Sequence, residues 1–161
     1  MALWATWSLN TTGFLELQWE ASETELATLR AIATEHSFAP QEVILTQGDT
    51  SEEMYLILEG RVRIVRALAN QPLLDLARLG PLSSFGEMAF STGCPRTASV
   101  IAETTLRVLS ITRSQAKRLW TQDPQLALNF YQMLARALIH SLAQAGRVFS
   151  QLPQTRRRSE S

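Results

Sequence analysis

Between residues 43 and 111 the apolar residues come in short runs, at 43–45, 54–58, 62–65, 73–79, 98–102 and 106–111. Glycine-bearing turns separate them, among them Gln47-Gly48-Asp49, Glu59-Gly60 and Leu79-Gly80-Pro81. Six or more short strands at this spacing predict a β-sandwich or barrel. In Arg61-Val62-Arg63-Ile64 arginines alternate with apolar residues, so one face of that strand is wet. A helical period flanks the strands on both sides. Ser22 with Glu25 matches a capping box, and Leu26, Leu29 and Ile32 follow at helical spacing, predicting a helix over about 22–36. Thr112 caps a short helix carrying Ala116, Leu119 and Trp120. Asp123-Pro124 then reads as N-cap and first-turn proline of a long helix. Along it Ala127, Tyr131, Leu134, Leu138, Ser141, Ala145, Val148 and Leu152 recur in a 4-3 spacing, an a/d seam suited to pairing with a second copy. Leu126, Phe130, Met133 and Ala137 form a second apolar face, assigned to the barrel. Gly146 weakens the last turns and Pro153 ends them.

Residues 1–20 have no clear period but hold Trp4, Trp7, Phe14 and Trp19. They read as an arm tied down by its aromatics, with a docking surface for a partner as the alternative. A length of 161 residues makes about one domain. Fifteen basic residues balance fifteen acidic ones, which argues against coating nucleic acid or anionic lipid through bulk charge. The balance is uneven along the chain: residues 1–80 carry eleven acids and five bases, residues 81–161 four acids and ten bases. A single cysteine, Cys94, excludes an intramolecular disulfide and a Cys-based zinc site, and two histidines, His36 and His140, exclude a multi-His metal centre. No apolar run approaches the ~18 residues of a membrane span. No base precedes Arg30, so no secretion signal is read. The expectation is a cytoplasmic domain without a metal or cofactor.

The chemistry concentrates in Ser84-Phe85-Gly86-Glu87-Met88-Ala89-Phe90 and, after a short loop, Arg96-Thr97-Ala98-Ser99-Val100. Gly86 lets the backbone approach a ligand closely, and a helical turn starting at Glu87 aims free N–H groups at one point. Arg96 offers a bidentate fork to phosphate oxygens, which lysine cannot. Glu87 beside a phosphate makes sense when the ligand also donates a hydroxyl, as a ribose 2′-OH does. The set calls for one phosphate charge and a sugar hydroxyl close together.

Phe85-Gly86-Glu87-Met88-Ala89 with Pro95-Arg96-Thr97-Ala98-Ser99-Val100 resembles the phosphate-binding cassette of cyclic nucleotide-binding domains. That family includes the catabolite activator protein, kinase regulatory subunits and nucleotide-gated channels. The resemblance extends to Gly48-Asp49, to residues 55–63 (YLILEGRVR) and to Asp123-Pro124, covering roughly residues 22–150. It implies that Arg96 pairs with the phosphate oxygens and that Glu87 accepts from the ribose 2′-OH beside Gly86. It further implies that the N–H groups of Met88, Ala89, Thr97 and Ala98 supply the remaining contacts. Thr97 matches the hydroxyl that cGMP-preferring members use, so it permits cGMP; cAMP is favoured. Ser141 falls where the catabolite activator protein sets a hydroxyl against adenine. Ser99 is read as finishing the strand.

The expected fold is therefore mainly β with flanking α: an eight-stranded jelly-roll β-barrel with an N-terminal helix and a long C-terminal helix. Its parts are an aromatic-rich arm (1–21), the domain (22–152, barrel about 38–111, long helix about 124–152) and a polar tail (153–161). Nine residues follow Leu152, too few for a recognition helix. The expected function is a cAMP or cGMP sensor that is not an enzyme, does not itself bind DNA, pairs as a homodimer through the long helix and acts on a separate protein partner. The alternatives are a ligand-free scaffold or dimerisation module, in which Arg96 and Glu87 form a structural ion pair, and a fragment of a transcription regulator lacking its DNA-binding domain. His36 reads as a helix-end residue, His140 as interfacial, Cys94 as an exposed loop residue, and Arg156–Arg158 as solvated tail.

Overall fold

A computed structural model describes residues 8–9, 15–16 and 23–151; for Ser8, Leu9, Leu15, Glu16, Thr24, Glu25, Thr28, Met133, Arg136, Ala137, His140, Ser141 and residues 143–151 it describes the backbone alone. The four arm aromatics, Ser22 and the tail from Leu152 onward lie outside the described residues. Within residues 1–20, Ser8–Leu9 (β1) pairs antiparallel with Leu15–Glu16 (β2). Helix α1 follows at Glu23–Ile32.

Eight further strands form two four-stranded antiparallel sheets, a jelly-roll-like arrangement. One sheet orders Thr34–Phe38 (β3), Leu106–Ile111 (β10), Met54–Glu59 (β5) and Ser84–Phe85 (β8) as β3-β10-β5-β8. The other orders Val43–Leu45 (β4), Ser99–Ala102 (β9), Val62–Arg66 (β6) and Leu74–Leu79 (β7) as β4-β9-β6-β7. Between β8 and β9 lies the short helix α2, Glu87–Thr92; α3 (Arg113–Gln122) and α4 (Pro124–Gln151) follow β10.

The predicted helix over 22–36 runs too far. Residues 34–36 belong to β3, where His36 lies opposite Val108 of β10 and shares a 2.9 Å hydrogen bond with Ser110 Oγ. His36 is thus a sheet residue, not a helix end. Pairing decides this: Thr-Glu-His-Ser-Phe has no apolar alternation of its own, but Arg107 on β10 binds Glu35 of β3 and Glu59 of β5 across the sheet at 2.6 Å each.

Two hydrophobic clusters share the interior. Leu45, Ile57, Val62, Phe85, Val100, Ala102, Leu106 and Val108 fill the space between the sheets. Leu29, Met54, Phe90, Ile111, Ala116, Leu119, Leu126, Ala127, Phe130 and Leu134 join α1–α4 to the first sheet. Strands β5 and β10 are covered on both sides, which is why their sequences read as nearly continuous apolar runs. The β5–β6 turn requires Gly60: its φ is +88°, and a Cβ there would collide with the backbone carbonyl of Thr105.

Thr112 and Gln115 form a reciprocal capping box at the start of α3, and Asp123 Oδ1 accepts from the Leu126 N–H at 2.9 Å to open α4. Both proposed faces of α4 turn inward at its start. Ala127 and Leu134 of the seam are buried beside Leu126 and Phe130, with Tyr131 and Leu138 packed partly against the same cluster. Among the described side chains of α4 the large exposed apolar ones are instead Leu128, Ile139 and Leu142, the last two 64% and 75% exposed.

Candidate functional site

The loop between β4 and β5 and the segment from β8 to β9 meet around Arg96. Gly48 N–H donates to the Arg96 carbonyl (2.8 Å), and Arg96 N–H donates to the Asp49 carbonyl (2.7 Å), so the Gln47–Asp49 turn is paired with the arginine's own backbone. Gly48 holds φ +91° in open space, so glycine is needed there for its dihedral and not for room. Gln47 secures the turn further: its N–H donates to Ser99 Oγ, and its side-chain amide pairs with both the N–H and the carbonyl of Ala67. Ser99 therefore does more than finish a strand.

Helix α2 is bracketed by two left-handed glycines, Gly86 (φ +83°) before it and Gly93 (φ +72°) after it. A Cβ on Gly86 would lie 2.9 Å from Arg96 Nη1 and 2.9 Å from the Glu53 carbonyl oxygen, so both backbone conformation and close approach demand glycine. Just upstream, Leu82 adopts φ +65°, an uncommon conformation for a large side chain, and its N–H donates to the Ile57 carbonyl at 2.8 Å.

Arg96 is 4% exposed. Its Nε donates to Ser51 Oγ (3.1 Å), Nη1 to the Gly86 carbonyl (2.9 Å) and Nη2 to the Glu53 carbonyl (2.7 Å), with Glu53 Oε2 at 3.7 Å from Nη2. A guanidinium carries five N–H donors, so one on each terminal nitrogen stands outside these three bonds. Burial lowers the Arg96 pKa from its ordinary value, opposed in order by Tyr55, Glu53, Asp49 and Glu87. The group stays charged in any case. Tyr55 stacks on Phe85 with ring centres 5.0 Å apart; burial and then Glu53 raise its pKa, and Arg96 opposes them.

The candidate residues thus converge in part. Gly86, Glu87, Met88 and Ala89 are consecutive at the start of α2, and Arg96 bonds directly to the first of them. Glu87 is 7% exposed and close enough to act on the Arg96 charge. Met88 and Thr97 are exposed, Ala98 is half-buried and Ala89 is buried. Ser141 lies on α4, its side chain outside the described ones. Cys94 is exposed, its N–H donating to Thr92 Oγ1. Sequence reasoning missed Ser51 and Glu53, the groups that hold the guanidinium. Glu53 acts through its backbone carbonyl, which carries no residue-type signal, and Ser51 through a single hydroxyl, so only the nearby Gly48-Asp49 turn pointed to that loop.

Residues 35–123 match the family described as cyclic nucleotide-binding domain. Over 120 residues the chain is 32% identical to the cyclic AMP receptor protein of Thermus thermophilus, covering 64% of this chain and 56% of that protein. Over 96 residues it is 31% identical to the CRP-like cAMP-activated global transcriptional regulator of Mycobacterium tuberculosis, covering 59% of this chain and 42% of that protein. The chain therefore spans about half the length of these curated relatives. Among solved structures, the Thermus thermophilus catabolite activator protein superposes with a TM-score of 0.66 at 26% identity, over 80% of this chain and 61% of that one. A cyclic nucleotide-binding domain from Methylobacillus flagellatus KT shares the fold with a TM-score of 0.73 at 24% identity, over 84% and 76% of the two chains.

Proposed function

The chain belongs to the cyclic nucleotide-binding domain family, and on that footing we propose that it is a cytoplasmic cAMP sensor, able to accept cGMP, that regulates a separate partner through its C-terminal helix. The observation that carries this reading is the buried Arg96, fixed by the Gly86 and Glu53 carbonyls beside a buried Glu87. Its two remaining N–H groups serve the phosphate, and Glu87 accepts the ribose 2′-OH. The N–H groups of Met88, Ala89, Thr97 and Ala98 complete the pocket, and Ser141 faces the base. The electrostatics favour a cyclic phosphodiester over an open monophosphate. Glu53, Asp49 and Glu87 already act on the single Arg96 charge, so a ligand with one negative charge is repelled less than one with two. Binding without turnover is the proposed activity.

Thermal unfolding tests this directly. Ligand bound to the folded state alone stabilises by RT ln(1 + [L]/Kd), about 2.7 kcal/mol at a hundredfold excess over Kd. Millimolar cAMP should raise the midpoint by several degrees, cGMP by less and 5′-AMP hardly at all. Equal shifts with cAMP and 5′-AMP would mean that the site does not select the cyclic phosphodiester. No shift with either cyclic nucleotide would favour the ligand-free scaffold.

The same reading pairs the chain with a second copy along α4. Leu138 is the last described side chain packed against the helical cluster, so the remaining 13 residues to Gln151 reach about 20 Å past it at ~1.5 Å per residue. That length carries the exposed Ile139 and Leu142, and a self-complementary two-fold contact with another α4 buries them. Sedimentation should therefore show a dimer that Ile139→Glu with Leu142→Glu converts to a folded monomer. An unchanged dimer would place the interface elsewhere.

A further inference from the structure

We propose that Arg113 is a positioning residue that carries occupancy of the nucleotide site to α3 and α4; the proposal rests on the sensor reading above. Helix α2 is held at both ends by a guanidinium. At its start Arg96 Nη1 donates to the Gly86 carbonyl at 2.9 Å. At its end Arg113 Nε donates to the Phe90 carbonyl at 3.0 Å and Nη2 to the Ala89 carbonyl at 3.3 Å. The last carbonyls of a helix lack intrahelical partners; here a residue of another helix donates to the Phe90 carbonyl and adds a second donor to the Ala89 carbonyl, which also accepts from the Gly93 N–H at 2.8 Å. Arg113 is the first residue of α3, directly after the N-cap Thr112 and within the Thr112–Gln115 capping box that fixes that helix start.

A second connection runs in parallel. The consecutive residues Ser51, Glu52 and Glu53 serve both arginines. Ser51 Oγ and the Glu53 carbonyl accept from Arg96, and Glu52 Oε1 stands 3.6 Å from Arg113 Nη1. A ligand that draws on Arg96 therefore acts on both groups that Arg113 grips, the end of α2 and the 51–53 segment. Arg113 holds the C-terminal end of α2, opposite the end that Arg96 holds. Its fork converts a displacement of α2 into a displacement of the α3 start, and α3 leads through Asp123 into α4.

Hydrogen–deuterium exchange on the full 161-residue chain, with titration calorimetry against cAMP, tests the proposal. In the unsubstituted protein, saturating cAMP should slow exchange over residues 113–130 about tenfold. Arg113→Ala should bind cAMP within fivefold of the unsubstituted affinity yet show less than twofold slowing there, with the slowing in α2 retained. Arg113→Lys, with one ammonium in place of the fork, should recover part of the response. Should Arg113→Ala fail to fold, Arg113→Met keeps the aliphatic length, removes the donors and is held to the same expectation. Full tenfold slowing in the donor-free variant would overturn the relay while leaving the sensor intact. Loss of binding by that variant would also overturn it, placing Arg113 in the binding site itself. Absence of cAMP binding in the unsubstituted protein would sink the sensor reading, and the relay with it.

Discussion

Replacing Arg96 by alanine is expected to weaken cAMP binding at least a hundredfold. The substitution removes the charged fork that serves the phosphate. It also frees the Gly86 and Glu53 carbonyls that the side chain holds at 2.9 and 2.7 Å. A hydrogen bond to a charged group contributes about 1.5–3 kcal/mol, so losing two to the ligand exceeds the roughly 2.7 kcal/mol that a hundredfold represents. Because Arg96 is buried and its backbone is paired with the Gly48–Asp49 turn, circular dichroism must accompany the calorimetry to separate lost binding from lost fold. Arg96→Lys should fall between the two proteins, since an ammonium keeps the charge but not the planar fork. A folded Arg96→Ala variant with affinity within threefold of the unsubstituted protein would remove Arg96 from the site.

Phe130→Ala should give the largest loss of stability. Phe130 is 1% exposed at the centre of the helical cluster, edge-on to Phe90 of α2 at 6.0 Å and to Tyr131 at 5.3 Å. Truncating a buried phenylalanine costs about 3–5 kcal/mol. For a chain of this size the unfolding midpoint falls by roughly 2–4 °C per kcal/mol, and calorimetric melting would register it easily. Trp120, which stacks on Tyr131 at 5.3 Å but is half exposed, provides the contrast: Trp120→Ala should cost far less. Equal losses at both positions would mean that the α3–α4 surface, not the interior, holds the helices.

The sequence marked most of the strands because glycine turns and short apolar runs are local features. Residues 43–45 and 106–111 coincide with β4 and β10 to the residue. It did not mark β3, whose five residues acquire strand geometry only through β10 and the Arg107 bridges to Glu35 and Glu59. The two residues of β8 are likewise too few to carry a period. The heptad reading of α4 identified apolar positions but not their direction. Ala127 and Leu134 face the chain's own helices, and among the described side chains the large exposed apolar ones are offset by one position at Leu128, Ile139 and Leu142. An apolar stripe does not by itself say which surface covers it; only the packing around the helix does.

The candidate site was legible where chemistry dictates residue type. A left-handed backbone against a guanidinium demands Gly86, and a fork for phosphate demands Arg96. Those residues lie ten positions apart and within hydrogen-bond distance of one another. What was illegible was the support. The Glu53 carbonyl could belong to any residue, and Arg113 at the first position of a helix reads as an ordinary basic side chain until the end of α2 is seen against it.

Nucleotide binding is measured by isothermal titration calorimetry of the full chain with cAMP, after partial unfolding and dialysis to strip bound nucleotide. A saturable isotherm with one site per chain near micromolar affinity, about −8 kcal/mol, is expected, and a weaker one with cGMP. A flat trace with both nucleotides from a correctly refolded protein would contradict the sensor reading and leave Arg96 and Glu87 as a structural pair.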